Sequence, residues 1–329
     1  MVSFDDIRAA QTLLDGIAVR TPLFEWTSPT DPRKLYLKLE NLQPIGAFKL
    51  RGAYNKVASL SDEERRRGVI SYSSGNHAQG VAYAARALGV KAIIVMPVNA
   101  PQNKLEATAA LGAEIVTVGP GSEERRLRAE QLASEYGYSI VPPYNDEKII
   151  AGQGTVGLEI LEDLSSADLS KEGSPSAATV LVPVGGGGLI SGVSAAIKLS
   201  NPNIKVIGVE PELAADAQAS LRAGRIVSFP AEQVSQTLAD GLRTQSIGAM
   251  NFEHIRAFVD DIVSVTEDEI REAMRALSAN AKTVAEPSGA VAPAAFLFHA
   301  DELPKTKINV AVISGGNIDP KLLADLRRL

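Results

Sequence analysis

The stretch GVISYSSGNHAQGVAYAARALGVKAIIVMP, residues 68–97, contains one full turn of the pattern that decides the fold. GVISYS is a short β-branched run and reads as a strand. NHAQGVAYAARALG carries its apolar residues at helical spacing and stops at Gly89, and KAIIVMP is a second short strand. The alternation continues through PQNKLEATAALG (101–112) as a helix closed by Gly112, AEIVTVG (113–119) as a strand, SEERRLRAEQLASEYG (122–137) as a helix and YSIVPPY (138–144) as a fourth strand. Strands joined by helices of this length run parallel, because each crossover returns the chain to the same sheet edge in the right-handed sense. Residues 68–145 therefore read as a small doubly wound domain.

On either side a second alternation appears. KIIAGQGTVGLEILEDL (148–164) is a helix, and the polar SSADLSKEGSPSAA (165–178) fits a surface loop. TVLVPV (179–184), NIKVIGVE (203–210), FVDDIVSV (258–265) and INVAVIS (308–314) read as strands. GLISGVSAAIKLS (188–200), AADAQASLRAG (214–224) and KLLADLRRL (321–329) read as helices. Thr266 and Glu269 form a capping box for a helix running to about Lys282. YLKLEN (36–41) followed by FKLRGAYNKVASL (48–60) looks like strand and helix of this same larger sheet, which makes the small domain an insertion. Arg51, two residues beyond Lys49, reads as an exposed side chain.

The 329 residues favour two domains, with 45% hydrophobic and 22% charged residues, an ordinary globular composition. Lys plus Arg number 33 against 39 Asp plus Glu, a net charge of −6 without a basic tract, which argues against a nucleic-acid or anionic-membrane partner. The absence of cysteine removes thiolate nucleophiles, disulfides and Cys-ligated zinc. Residues 1–20 mix acids into a helical period instead of presenting a signal peptide, and no run approaches about 18 uninterrupted apolar residues. A cytoplasmic location is expected.

In open α/β sheets ligands settle at the carboxyl ends of strands, so the strand-to-helix turns carry the chemistry. Four are unusual. In VGGGGLISG (184–192), Gly185, Gly186, Gly187 and Gly188 let backbone N–H groups converge at a helix N-terminus and suit a phosphate, although the spacing departs from both common nucleotide motifs and a tight strand–helix contact without a ligand is the alternative. In SSGNHAQG (73–80), Ser73, Ser74, Gly75, Asn76 and His77 suit a carboxylate or a ring oxygen, or simply cap a helix. His77 alone reads as a packed side chain. In PIGAFKLRGAYN (44–55), Lys49 lies among apolar and small residues, where a desolvated ammonium would lose its proton and become available for Schiff-base chemistry, although taken alone the motif reads better as a solvated surface lysine. In VISGGNID (312–319), Ser314 puts a hydroxyl at a strand end, which a plain turn explains equally well.

Taken together and in this order, the turns resemble the fold type II family of pyridoxal-phosphate enzymes, and within it the serine/threonine dehydratases and serine racemases. The resemblance runs from VRTPLFEW (19–26) to SGGNID (314–319) and includes ENLQPIGAFKLRGA (40–53), PPYNDEKIIAGQGT (142–155), TLADGLRT (237–244), VTEDEI (265–270) and AEPSGA (285–290). It implies an α/β, two-domain, tryptophan synthase β-like architecture of doubly wound, mostly parallel sheets. A large cofactor-binding domain of residues 1–67 and 146–329 would carry residues 68–145 as the inserted small one.

The resemblance also implies roles. Lys49 would form the Schiff base with pyridoxal 5'-phosphate and serve as the base at Cα, with Phe48 against the cofactor ring. Gly185, Gly186, Gly187 and Gly188 would hold the phosphate, Asn76 the ring hydroxyl and Ser314 the ring nitrogen. Ser73, Ser74, Gly75, Asn76 and His77 would hold the substrate carboxylate, and Ser74 would exchange a proton on the opposite face in a racemase. Glu210, the Ala214 carbonyl and Asp216 in GVEPELAADAQ (208–218) would bind a divalent cation, Mg²⁺, Mn²⁺ or Ca²⁺, which all-oxygen ligation suits. The alternative for that segment is an acidic helix start complementing the macrodipole.

The expected reaction is β-elimination of L-threonine and L-serine to a 2-oxo acid and ammonia, by a homodimer. Serine racemisation and dehydration of threo-3-hydroxyaspartate are the alternatives. Two positions depart from or qualify the pattern: Ala47 stands where many relatives carry serine, and Arg243 is a candidate to recruit a second substrate carboxylate.

Overall fold

The computed structural model describes residues 1–27, 33–100, 102–119, 121–165 and 178–326. Ten strands among them are β1 (Leu23–Trp26), β2 (Lys34–Leu39), β3 (Val69–Tyr72), β4 (Ala92–Pro97), β5 (Glu114–Val118), β6 (Ser139–Ile140), β7 (Ala178–Pro183), β8 (Lys205–Pro211), β9 (Asp261–Val265) and β10 (Ile308–Ile313). They form two sheets, ordered β1-β2-β10-β7-β8-β9 and β5-β4-β3-β6. All pairings are parallel except β1 with β2. The antiparallel β1 has no counterpart in the sequence reading. It is four residues long with two of them exposed, too short for a period to show.

β7 and β10 are buried along their whole length, as continuous apolar runs covered on both faces should be. Alternate residues sort to opposite faces. Leu35, Leu37, Leu181, Ile207, Val209 and Ile313 join one cluster with the helix Pro287–Phe298, while Tyr36, Val180, Val182, Val206, Val310 and Val312 join another with the helix Gly188–Ser200.

The smaller sheet is likewise covered on both sides. Ile70, Ile93 and Val95 meet Ala129 and Leu132 of the helix Ser122–Tyr136. Val69, Ile94 and Met96 share a cluster with Val81 and with Leu50, Ala53, Tyr54 and Val57. These last four sit at i, i+3, i+4 and i+7 of the helix Lys49–Ala58. That helix, read from sequence as part of the larger sheet, thus turns its apolar stripe to the smaller one.

Other differences are local. The capping box on Thr266 is present, but the regular helix Glu267–Ala276 gives way to a π-helical turn, Leu277–Ala281, and then to Lys282 with φ +51°. Widening the last turn lets the Thr283 N–H reach the Leu277 carbonyl at 3.3 Å. The expected surface loop of 165–178 lies, over 166–177, outside the described residues. The final helix is seen as Pro320–Leu326. No helix among the described residues is long and apolar enough to cross a membrane.

The strand order matters for chemistry. β10, the last strand in the chain, lies between β2 and β7, with Ile313 opposite Leu39 and Ala311 opposite Leu181. Three carboxyl ends remote in sequence, those leading to Lys49, Gly185 and Ser314, therefore open side by side.

Candidate active site

The loops after β2 and β10 are stitched together by backbone. Phe48 N–H donates to the Ser314 carbonyl at 3.0 Å, Gly316 N–H donates to the Gly46 carbonyl at 2.9 Å, and Ala47 pairs with Gly315 as an isolated bridge. Lys49 follows as the first residue of its helix. Its Nζ donates to the Pro143 carbonyl at 2.8 Å and lies 5.2 Å from the centre of the Phe48 ring. Burial pushes this ammonium down to about 8, with no carboxylate among the described residues to hold it charged. An amine that gives up its proton near neutrality, at the meeting of three strand ends, is a nucleophile and a base in waiting.

The glycine loop follows β7. Gly187 caps the helix Gly188–Ser200 with φ +95°, a conformation that disfavours any side chain. A Cβ on Gly186 would fall 2.2 Å from the Tyr144 ring. The loop is therefore a row of bare backbone at a helix start, with Tyr144 packed on it. Burial, with the charges of Tyr72 and Asp216 adding, pushes the Tyr144 hydroxyl up to about 12, so it stays a neutral phenol.

At the end of β3, Gly75 precedes the helix Asn76–Ala87 without a side chain to cap it. Ser73 Oγ accepts from Gly75 N–H at 3.3 Å. His77 is buried with Nε2 3.0 Å from the Val141 carbonyl, which requires hydrogen on Nε2, and its Nδ1 has no partner. Burial first, and the Lys49 charge second, hold this imidazole down at about 3. It is a neutral packed side chain, as its isolated reading expects. Asn76 Nδ2 donates to Glu286 Oε1 at 2.6 Å and its Oδ1 accepts from Asn317 Nδ2 at 2.8 Å. Ser314 is buried, and its Oγ donates to the Ser288 carbonyl over a long 3.3 Å, a bond easily exchanged.

Two residues near these turns, Arg125 and Lys104, were not singled out in the sequence. Arg125, half-buried on the helix Ser122–Tyr136, donates from Nη1 to Ser74 Oγ at 3.4 Å and has no ion-pair partner among the described residues. Burial lowers its pKa. Lys104, on the helix Gln102–Ala110 beside the smaller sheet, pairs with Asp240 in the TLADGLRT turn and ties the two sheets' loops together. Arg243 in that same turn is exposed, with Nε and Nη2 on the Thr237 carbonyl at 2.9 and 2.6 Å.

Arg51 corrects the sequence reading outright. It is 1% exposed. Its Nε and Nη2 donate to Glu40 at 2.7 and 2.9 Å, and its Nη1 and Nη2 to Glu159 at 2.7 and 3.0 Å. Lys38 Nζ also donates to Glu159, at 2.5 Å. Burial opposes the Arg51 charge, but Glu40 and Glu159 outweigh that and raise the Arg51 pKa. Two cations and two anions compensate one another beneath the Lys49 helix.

Beyond β8, the fully buried Glu210 accepts from the N–H groups of Ala217 and Gln218 at 3.0 and 2.8 Å. Asp216, equally buried, begins the helix Asp216–Ala223, and neither of its carboxylate oxygens has a hydrogen-bond partner among the described residues. Burial raises both carboxyls, and the Asp216 charge raises Glu210 further. Two neighbouring buried carboxylates, one of them with idle oxygens, are costly unless a cation joins them. The adjoining Ala214 is buried as well. Among the described residues no group of three or more His, Cys, Asp or Glu side chains gathers, so any cation here would depend on carbonyl oxygen too.

Comparison with known proteins bears on this geometry. A family profile described as "Pyridoxal-phosphate dependent enzyme" matches residues 14–315. An L-threonine ammonia-lyase of Thermotoga maritima is 47% identical over 327 residues, 98% of this chain and 77% of that protein. The L-threo-3-hydroxyaspartate ammonia-lyase of Saccharomyces cerevisiae is 40% identical over 98% of this chain and 96% of its own. Among solved structures, maize serine racemase superposes with a TM-score of 0.91 at 37% identity, covering 99% of this chain and 97% of that one.

Proposed function

Because this chain belongs to the family of pyridoxal-phosphate dependent enzymes, we propose that it is an ammonia-lyase converting L-threonine and L-serine to 2-oxo acids and ammonia. The observation that carries the reading is the Lys49 amine, half-buried and readily deprotonated where the ends of β2, β10 and β7 meet. The residues present fit the cofactor: a neutral amine, a bare glycine row at a helix start for its phosphate, and a neutral hydroxyl, Ser314, for its ring nitrogen. Pyridoxal phosphate, when bound, supplies the electron sink that acidifies the substrate's Cα–H.

The chain's own groups do the rest. Amides at the uncapped start of the helix Asn76–Ala87, with Ser73 and Ser74, receive the substrate carboxylate. The Lys49 amine takes the Cα proton and passes it to the departing β-hydroxyl, which leaves as water. Hydrolysis of the resulting enamine returns that water and yields the 2-oxo acid and ammonia. Ser314, lacking a negative charge, leaves the ring nitrogen without the carboxylate that would hold it protonated, which favours rapid elimination over long-lived carbanions. The segment 68–145 acts as the smaller domain over the larger one of 1–67 and 146–329, and the enzyme works as a cytoplasmic homodimer. Incubating the loaded chain with L-threonine, L-serine and L-threo-3-hydroxyaspartate tests the reading. Ammonia from none of the three overturns it.

A divalent cation is part of the proposal, supported by the idle oxygens of Asp216 beside Glu210 and Ala214. Mg²⁺, Mn²⁺ or Ca²⁺ should raise the melting temperature of the chelator-treated protein in proportion to RT ln(1 + [L]/Kd). Asp216→Asn should abolish that rise. A variant that still responds places the cation elsewhere.

One observation favours 3-hydroxyaspartate as a further substrate: the half-buried Arg125, without an acid of its own among the described residues, beside Ser74. Arg125→Gln should lower kcat/KM for 3-hydroxyaspartate roughly tenfold more than for L-threonine, the size of one charge-assisted hydrogen bond. Equal losses on both would assign Arg125 to the carboxylate every amino acid carries. The racemase alternative rests on Ser74, and D-serine in the L-serine reaction decides it.

A further inference from the structure

We propose that Glu286 is a positioning residue, holding the Asn76 amide in the orientation from which Asn76 reaches the cofactor's ring oxygen. The inference rests on the pyridoxal-phosphate reading above. What carries it is a chain of hydrogen bonds that can run in one direction only. It begins at the Ile45 carbonyl, which can only accept. Asn317 must therefore turn Nδ2 toward it, at 2.8 Å, and the other hydrogen of that group goes to Asn76 Oδ1, also at 2.8 Å. Asn76 is thereby obliged to present Nδ2 to Glu286, whose Oε1 accepts at 2.6 Å. A primary amide has two N–H bonds. One is held by Glu286, and the second is left for a ligand. The flipped amide would set NH₂ against NH₂ at Asn317 and oxygen against oxygen at Glu286.

The fold goes to some length to keep this carboxyl in place. Glu286 is 3% exposed and stands at the N-cap of the helix Pro287–Phe298, yet its side chain makes no capping bond. Its N–H donates to the Gly315 carbonyl at 3.0 Å. A Cβ at Gly315 would lie 2.4 Å from Oε1, so only glycine there admits the carboxyl. A buried carboxyl is costly, and this one's side-chain partner is Asn76. Burial, then the charge of Asp240, push it up to about 7, while Lys104, the Asn76 amide and the Asn317 backbone pull it down. Glutamine is therefore a fair mimic of its neutral form.

The test is a double-mutant cycle on the pyridoxal-phosphate-loaded chain, using Glu286→Ala, Glu286→Gln, Asn76→Ala and the Ala/Ala pair. The readouts are the cofactor dissociation constant, from fluorescence titration, and the absorption band of bound cofactor. Glu286→Ala should weaken cofactor binding roughly tenfold, as loss of one charge-assisted hydrogen bond does, and displace the band. Glu286→Gln keeps an acceptor for Nδ2 and should stay within about threefold. The pair should bind no more weakly than Asn76→Ala alone, because Glu286 acts only through Asn76. Should the alanine variant not fold, Glu286→Met replaces it in the same cycle. Additive losses, or a Glu286→Ala protein with native affinity and spectrum, overturn the proposal while leaving the functional reading intact. A wild-type chain that takes up no pyridoxal phosphate overturns both.

Discussion

Lys49→Ala should lower 2-oxo acid formation from L-threonine by roughly 10³-fold or more, the range in which removal of a positioned base and nucleophile falls. The loss should be chemical and not structural. Among the described residues the Lys49 Nζ makes a single hydrogen bond, to Pro143, and its charge is disfavoured by burial, so the variant should unfold at a denaturant concentration no lower than wild type. Borohydride reduction of the loaded wild-type chain, followed by peptide mapping, should place the cofactor on Lys49. Capture of the cofactor by the bare chain should also quicken as pH rises through about 8, because only the uncharged amine attacks. Undiminished product from the variant, or a label on another residue, would remove the foundation of the functional proposal.

The second large effect is expected two residues further on and is of the opposite kind. Arg51→Met removes a cation that serves both Glu40 and Glu159. Lys38 remains on Glu159, but the buried Glu40 then loses the cation it pairs with. Breaking a buried ion pair by removing one partner typically costs about 3–5 kcal/mol. Urea denaturation should register a loss of that order, without cofactor, and a change below about 1 kcal/mol would show that the network relaxes freely. Arg51→Lys should recover part of the loss only, since an ammonium cannot make the four directed bonds to two carboxylates that the guanidinium makes.

Lys49 and Arg51 also mark what a sequence can disclose. Lys49 stood out because glycines and apolar residues surround it locally and because three other strand ends carry matching turns. Nothing local separates Arg51 from a surface arginine, since its partners stand 11 and 108 residues away and meet it only after folding. The parallel strands were legible because their periods are local. β1 was not, being four residues at an edge, nor was the widened turn at Leu277–Ala281, where a helical pattern continues past the end of the regular helix. Arg125 hides in the charged run SEERR, and Glu286 reads as an ordinary residue before a helix-starting proline. Their significance comes from Ser74 and Asn76, which reach them from another loop.

The helix that starts at Lys49 buries its apolar stripe in the core of the smaller sheet while Arg51, on the same helix, is clamped to Glu40 and Glu159 on the side of the larger one. Modular exchange is constrained accordingly. A chimera that transplants only residues 68–145 from a cousin inherits a mismatched seam along Leu50, Ala53 and Val57. One that brings its own seam must also import the lysine. Recognition and reactivity, though encoded by separate stretches of chain, are thus obliged to travel together through recombination.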